Sequence, residues 1–177
     1  MTGTAFGALV RSILHQQVSI GAGRAFVRKL AATCGGTIEP ASILALADTD
    51  LQAAGLSRGK ARYVRALAVA TVEGGLDGIE ELPDDEVEQR LIQLPGIGVW
   101  TVKMFLLFHL LRPDVFSGGD LGLREAIRVL DDLEAPPTPA QAETRAEIWR
   151  PYRSVAAISL WDFLRRTRLS KREAGGI

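Results

Sequence analysis

Apolar residues recur at helical spacing through almost the whole chain, whereas alternating strand patterns are scarce. Glycine and proline positions interrupt this periodicity often enough to divide the chain into about eight to ten helices. The fold is therefore predicted to be all-α. The clearest helical stripes are Phe6, Leu9, Val10, Ile13 and Leu14, then Phe26, Val27 and Leu30, then Val64, Leu67 and Ala68.

The most distinctive interruption is a glycine hairpin between two apolar segments, Leu94-Pro95-Gly96-Ile97-Gly98-Val99-Trp100-Thr101. Gly96 and Gly98 both permit positive φ and a close approach of the backbone, so the amide hydrogens of the turn are all expected to face outward. The helix that follows directs its positive N-terminal end toward the same place. Such a hairpin predicts a phosphate cradle that grips a DNA backbone without reading its sequence. The alternative is an ordinary turn between two helices.

An aspartate, Asp120, follows the second apolar segment after a glycine-rich turn. An isolated aspartate in this context is expected to cap a helix, here over 121–130, with Arg124 as an ion-pair partner. Thr138 and Gln141 predict a later helix start with a capping box. The apolar helix between the hairpin and Asp120 is expected to cover 102–111.

The 177 residues are enough to bury one sizeable core, and no second domain is required. The 21 basic and 21 acidic residues balance, so an anion-binding face must come from local clusters. One cysteine and two histidines exclude an intramolecular disulfide and a transition-metal cluster. No signal segment or membrane span is recognised, and a cytoplasmic location is expected. The basic clusters, which are either phosphate contacts or solvated helix faces, are Arg58, Lys60, Arg62 and Arg65, and Arg165, Arg166, Arg168, Lys171 and Arg172.

Taken together, these features resemble the helix-hairpin-helix (HhH-GPD) superfamily of DNA glycosylases, in which the hairpin and a catalytic aspartate occur in this order and spacing. The similarity points to the branch that removes alkylated bases, the 3-methyladenine DNA glycosylase II type. Each motif alone is weak, but jointly they are specific. The motifs are the segment 9–19 with its Gln16-Gln17 pair, the run Gly55-Leu56-Ser57-Arg58-Gly59-Lys60-Ala61, the hairpin, the run Asp120-Leu121-Gly122-Leu123-Arg124, and 149–154 followed by Leu160-Trp161.

This resemblance implies a two-lobed helical fold with a helix-hairpin-helix DNA-binding motif at about residues 85–111. The two chain ends, about 1–35 and 119–177, are expected to form one lobe, and about 36–118 the central lobe. The chain begins only a few residues before the helix that leads to the glutamine pair, so a minimal or a truncated member is expected. The DNA contacts of the motif are assigned to Pro95, Gly96, Ile97, Gly98 and Thr101.

By the same resemblance, Asp120 is the catalytic carboxylate, which stabilises positive charge on the sugar and orients or deprotonates the attacking water. Members that also cleave the strand carry a lysine immediately before the threonine of the hairpin helix, where it forms a Schiff base. That position is Trp100 here, and Lys103 lies on a different face of the helix. The resemblance therefore implies a monofunctional glycosylase that flips out alkylated purines of the 3-methyladenine and 7-methylguanine type, hydrolyses the N-glycosidic bond and leaves an abasic site.

Base flipping requires a pocket that receives the extruded base. Trp100 and Trp161 match the tryptophans of the family's pocket, where their faces would attract a cationic base. Met104 and Leu121 stand where relatives can carry aromatic residues, so this pocket is expected to be less aromatic. The alternative for the tryptophans is core packing.

Gln16 and Gln17 match the region that supplies the family's intercalating side chain, with Gln17 preferred; the alternative is that both cap a helix end. The backbone carbonyls of Ile92, Leu94 and Ile97 match those that hold a structural Na⁺ or K⁺, and no other cofactor is expected. The implied partner is damaged double-stranded DNA, bound by a monomer without membrane involvement. Two other functions stay open: a non-catalytic helix-hairpin-helix DNA-binding module, and a glycosylase for deaminated or etheno purines.

Overall fold

The computed structural model describes residues 3–174. These residues form ten α-helices and no β-strand, which confirms the all-α prediction. The chain divides into two compact units, Met1–Leu110 and Leu111–Ile177. No helix in the described range is both long enough and apolar enough to span a membrane. The assignment of about 1–35 and 119–177 to one lobe stays a prediction.

In the first unit, α1 lies against α2, α5 and α7. Its predicted apolar stripe is the core of this packing, since Phe6, Leu9, Ile13 and Leu14 are all at most 2% exposed. A short 3-10 helix, Ile79–Glu81, leads toward α6. The helices of this unit are α1 Ala5–His15, α2 Ile20–Thr33, α3 Pro40–Ala45, α4 Asp48–Ala53, α5 Arg58–Val72, α6 Asp84–Leu91 and α7 Val99–Phe108.

Polar caps fix where three of these helices begin. The side-chain oxygens of Thr4, Ser19 and Ser57 each accept a hydrogen bond from the amide three residues later, at 3.2 to 3.3 Å. Because α1 ends at His15 and Ser19 already caps α2, the connection between them is short. The glutamine pair therefore lies in a tight loop rather than inside a helix.

The helix after the hairpin is displaced from its predicted position: α7 covers Val99–Phe108 instead of 102–111. It starts early because Gly98 already serves as the N-cap residue. It ends early because the amides of His109 and Leu110 both bond the Phe105 carbonyl, after which Leu111 adopts φ +54°.

The second unit contains α8 Leu121–Leu130, α9 Pro139–Ala146 and α10 Arg153–Ala174, with a 3-10 helix at Glu147–Trp149. The predicted start of α8 is confirmed, and so is the capping box, in which Thr138 and Gln141 exchange hydrogen bonds. Helix α8 packs against α9 and α10. The start of α10 is held by Arg153, whose Nε donates to Asp114 at 2.7 Å and lowers the pKa of that carboxyl.

Candidate functional site

The hairpin joins α6 to α7 through a turn that closes on its own backbone. The Ile97 amide donates to the Leu94 carbonyl at 3.1 Å, and the Ile97 side chain is only 4% exposed. The expectation that every amide of the turn faces outward was therefore wrong at Ile97, because that group closes the turn. Within the described part of the chain, the amides of Gly96 and Gly98 donate to no other group, which leaves both available to an anion.

The two hairpin glycines differ in backbone conformation and in the space around them. Gly96 has φ +81°, and the Tyr63 ring occupies the place where a Cβ would stand. Gly98 has φ −106° and ψ 175°, values that other residues adopt readily, and a Cβ there would meet no atom of the described chain within 4 Å. Gly96 is thus required by the fold, whereas the open space beside Gly98 is available to a ligand backbone.

A cleft of about 500 Å³ opens beside the hairpin. It is bounded by the end of α1, the start of α5 and the hairpin itself. Sequence reasoning missed Tyr63, which lies one helical turn after Lys60 and lines this cleft. The lining side chains outside the hairpin are Gln16, Gln17, Ser57, Lys60 and Tyr63.

The structure separates the roles of the two neighbouring glutamines. The Gln16 Nε2 group donates to the Gly96 carbonyl at 2.8 Å and to the Thr101 hydroxyl at 3.0 Å. Gln17 is exposed and adopts φ +56°. Thr101, which was assigned to DNA contact, is 2% exposed and receives its bond from within the protein. Gln16 is therefore tied to the hairpin, whereas Gln17 is presented to solvent.

Lys60 is partly buried at the edge of the cleft in the first unit. Its Nζ donates to the carbonyls of Leu14 and Gln16 at 2.9 and 3.0 Å, and lies 5.6 Å from the centre of the Phe26 ring. Burial lowers the pKa of its ammonium group. This residue therefore contributes to the α1 end of the cleft through hydrogen bonds to backbone.

The rest of the two basic clusters divides into paired and exposed side chains. Arg65 bonds Asp48 at 2.8 Å, and both Arg165 and Arg166 bond Asp162 at 2.6 Å. The side chains of Lys171 and Arg172 lie outside the described part of the chain. The cluster members left exposed without a described ion pair are Arg58, Arg62 and Arg168.

Asp120 is the N-cap of α8, as expected for a capping aspartate. Its Oδ1 accepts hydrogen bonds from the Leu123 amide at 2.8 Å and from Trp161 Nε1 at 3.0 Å. A Cβ on Gly122 would lie 3.0 Å from that oxygen and 3.1 Å from the Trp161 ring, so the glycine allows the two groups to meet. Arg124, considered as an ion-pair partner, directs its Nε to the Pro137 carbonyl. The result is a carboxylate whose position is fixed by two donors.

The predicted pocket residues differ in accessibility. On α7 of the first unit, Trp100 is half-buried and Met104 is 7% exposed. In the second unit, Trp161 is half-buried and Leu121 is 74% exposed. Their assignment to a base pocket stays a prediction.

Lys103 forms an ion pair with Glu88 of α6, at 2.8 Å between Nζ and Oε2. This bond spans the two helices that flank the hairpin. The ammonium of Lys103 therefore serves to join the hairpin helices.

Among the described residues, no group of three or more histidine, cysteine, aspartate or glutamate side chains could hold a metal ion. The three carbonyls assigned to a monovalent cation are those of Ile92, Leu94 and Ile97. The Leu94 carbonyl accepts the Ile97 amide and retains a second lone pair. Neutral backbone oxygens are hard donors, so the set fits Na⁺ or K⁺ by its chemistry.

A family model described as HhH-GPD superfamily base excision DNA repair protein matches residues 10–151. Schizosaccharomyces pombe DNA-3-methyladenine glycosylase 1 is 34% identical over 158 residues, or 86% of this chain and 69% of that protein. Escherichia coli DNA-3-methyladenine glycosylase 2 is 31% identical over 89% of this chain and 57% of its own length. The structure of S. pombe 3-methyladenine DNA glycosylase (Mag1) in complex with abasic DNA matches with a TM-score of 0.85 and 32% identity, covering 89% of this chain and 79% of that one.

Proposed function

The chain belongs to the HhH-GPD superfamily of base excision DNA repair proteins, and we propose that it is a monofunctional glycosylase for alkylated purines. It hydrolyses the N-glycosidic bond of 3-methyladenine- or 7-methylguanine-type bases in double-stranded DNA and leaves an abasic site. The names of its relatives support this substrate class. The observation that carries the proposal is the Asp120 carboxylate, which two donors fix at the start of α8.

The hairpin supplies the grip on DNA. The amides of Gly96 and Gly98 and the positive end of α7 attract a phosphate, and the open space beside Gly98 admits the DNA backbone. None of these groups reads a base edge, so this contact positions the DNA without selecting a sequence. The carbonyls of Ile92, Leu94 and Ile97 would hold a Na⁺ or K⁺ ion, whose charge would attract the same phosphate.

Asp120 supplies the electrostatic part of the chemistry. As the bond to the base breaks, positive charge develops on the sugar, and the fixed carboxylate stabilises it. Two unit charges about 4 Å apart at an effective dielectric near 20 interact by roughly 4 kcal/mol, on the order of a thousandfold in rate. The same carboxylate orients or deprotonates the attacking water.

Two features of α7 argue for water rather than an amine as nucleophile. Trp100 stands where strand-cleaving members have lysine, and an indole cannot form a Schiff base. Lys103 is bound to Glu88. The product is therefore an intact strand with an abasic site.

In the first unit, Trp100 and Met104 are proposed to contact the flipped base, and in the second unit Leu121 and Trp161 are proposed to do so. Extruding a base costs a few kcal/mol, and each aromatic face that stacks on a cationic base returns about 0.5 to 2 kcal/mol. Trp161 would serve twice, since its ring would stack on the base while its Nε1 holds Asp120. The enzyme acts as a DNA-associated monomer and needs no redox cofactor.

The test is release of free 3-methyladenine and 7-methylguanine from methylated duplex DNA in the presence of EDTA, comparing wild type with Asp120→Asn. Asn retains an oxygen that can cap α8 but lacks the charge, so base release should fall by orders of magnitude while DNA binding persists. Asp50→Asn is the matched control, because Asp50 also bonds a backbone amide at a helix start, Ala47 at 2.9 Å.

A wild type that binds DNA but releases neither base would contradict the proposal and favour a binding module. Release of hypoxanthine or ethenoadenine in place of the methylated purines would instead reassign the substrate. Equal losses in Asp120→Asn and Asp50→Asn would show that the effect follows from replacing any carboxylate at a helix start, rather than from the charge of Asp120.

A further inference from the structure

The loop between α1 and α2 holds an exposed side chain in an unfavourable backbone conformation. Gln17 has φ +56°, in the left-handed region that glycine adopts most readily. A non-glycine residue in such a region is strained and persists only where its surroundings impose it. The structure shows two side chains, Lys60 and Gln16, that restrain the chain immediately before Gln17.

Lys60 fixes the end of α1. Its Nζ bonds the carbonyls of Leu14 and Gln16, the latter belonging to the peptide group that leads directly into Gln17. A cation at the C-terminal end of a helix also interacts favourably with the helix dipole. This one side chain therefore restrains the backbone immediately before Gln17.

Gln16 joins the same loop to the hairpin. Its Nε2 has two hydrogens, and the two recorded acceptors are the Gly96 carbonyl at 2.8 Å and the Thr101 hydroxyl at 3.0 Å. Gly96 lies in the turn and Thr101 in the first turn of α7, so the bonds span the hairpin and the start of its second helix. With both hydrogens bound inside the protein, this amide is committed to the hairpin rather than to DNA.

We propose that Gln16 is a positioning residue that couples the phosphate-binding hairpin to the loop carrying Gln17, the side chain that the family resemblance already assigns to the base stack. This rests on the proposed function. The hairpin grips the DNA backbone, and the Gln16 bonds keep the Gln17 loop at a fixed distance from that grip. Lys60 keeps the loop itself in shape, so insertion needs no rearrangement of the protein.

A double-mutant cycle between Gln16→Ala and Thr101→Val tests the coupling. The quantity measured is affinity for a duplex that contains a tetrahydrofuran abasic analogue. Loss of one hydrogen bond should weaken binding about 2- to 13-fold in Thr101→Val, and loss of two should weaken it about 5-fold or more in Gln16→Ala. The double variant should lose no more than the worse single variant, because both changes break the same link. Gln17→Ala combined with Thr101→Val should instead give losses that multiply.

A second measurement separates the coupling residue from the intercalating one. The probe, placed beside the abasic analogue, is 2-aminopurine, whose fluorescence changes when a side chain enters the stack. Gln17→Ala should reduce this fluorescence change on binding. Its affinity for undamaged duplex should stay within about twofold of wild type, since Gln17 contacts only the opened stack. Gln16→Ala should weaken binding of both duplexes, because it disturbs the hairpin. It should also reduce the fluorescence change, because the Gln17 loop loses its link to the hairpin. Gln16→Met keeps the length of the side chain without a donor, so it repeats the test should the alanine variant fold poorly. The matched control is Gln52→Ala, an exposed glutamine of α4, which should change neither quantity.

Multiplying losses in the Gln16–Thr101 cycle, or a fluorescence change in Gln16→Ala equal to that of the wild type, would overturn the assignment. Base release by the wild type is measured in parallel. A wild type that shows the coupling but releases no alkylated base would refute the proposed function and support the coupling.

Discussion

Replacing Gly98 with alanine should weaken DNA binding and leave the fold intact. The backbone angles of Gly98, φ −106° and ψ 175°, are ordinary for alanine, and the new methyl would meet no atom of the described chain. Alanine is a poorer N-cap than glycine, but it also reduces the entropy of the unfolded chain by an amount worth about 0.4 to 1 kcal/mol. These effects oppose each other, so the free energy of unfolding should change by less than about 1 kcal/mol.

The same methyl would stand beside the Gly98 amide, where a phosphate oxygen has to approach. A hydrogen bond from an amide to oxygen requires about 2.7 to 3.2 Å, a distance that a neighbouring methyl disturbs. Losing one bond to a charged acceptor costs about 1.5 to 3 kcal/mol, or roughly 10- to 150-fold in affinity.

Gly96→Ala is the contrasting variant, since it would force alanine into φ +81° and against the Tyr63 ring. Strain of this kind costs about 1 to 3 kcal/mol and should lower the Tm by about 2 to 12 °C. Thermal unfolding and fluorescence anisotropy with undamaged duplex would measure both variants. The reasoning fails if Gly98→Ala lowers the Tm as much as Gly96→Ala, or if it keeps DNA affinity within twofold of wild type.

Trp161→Phe removes the Nε1 donor to Asp120, so single-turnover base release should slow by about 10-fold or more at unchanged affinity for undamaged duplex; an unchanged rate would contradict the positioning role. Borohydride, which reduces a Schiff base to a stable adduct, should trap no covalent complex of the protein with abasic DNA. An adduct that forms with the wild type and disappears in Lys103→Ala would instead show lyase chemistry. Asp114 has a lowered pKa chiefly because Arg153 donates to it, so its stabilisation is present above the unfolded pKa of about 3.9 and is lost as pH falls through the folded value. Asp114→Asn should therefore lower the Tm at pH 7. The difference in Tm between the variant and the wild type should become smaller below about pH 4, and calorimetry over this pH range would measure it.

Features that depend on a few neighbouring residues could be predicted from the sequence. The cap of α8 at Asp120 and the capping box at Thr138 are of this kind, because the side chain that ends each helix lies within three residues of the amide it binds. The all-α fold follows from the spacing of apolar residues in the same way. The end of α7 was predicted three residues too late, because an apolar pattern continues beyond the point where the backbone turns.

Features that depend on distant partners could not be predicted. The sequence resemblance favoured Gln17 over Gln16 for intercalation, but the bond from Gln16 to the hairpin, 80 residues away along the chain, could not be predicted. The different surroundings of the two hairpin glycines could not be predicted either. Tyr63 packs against Gly96, whereas the space beside Gly98 is open. The base pocket, the cation carbonyls and the intercalating role of Gln17 stay predictions.

The two donors on Asp120 also bear on how the enzyme would spare normal DNA. A carboxylate that accepts from an amide and an indole N–H is held in one orientation, so it can stabilise a cation that develops at one place only. Under the proposed function, this single charged group would act on bonds that the lesion has already weakened, as alkylation at N3 or N7 does by making the purine a good leaving group. An undamaged purine in the same site would dissociate before its bond is cleaved. Fidelity would then rest on the instability of the damage as well as on its recognition.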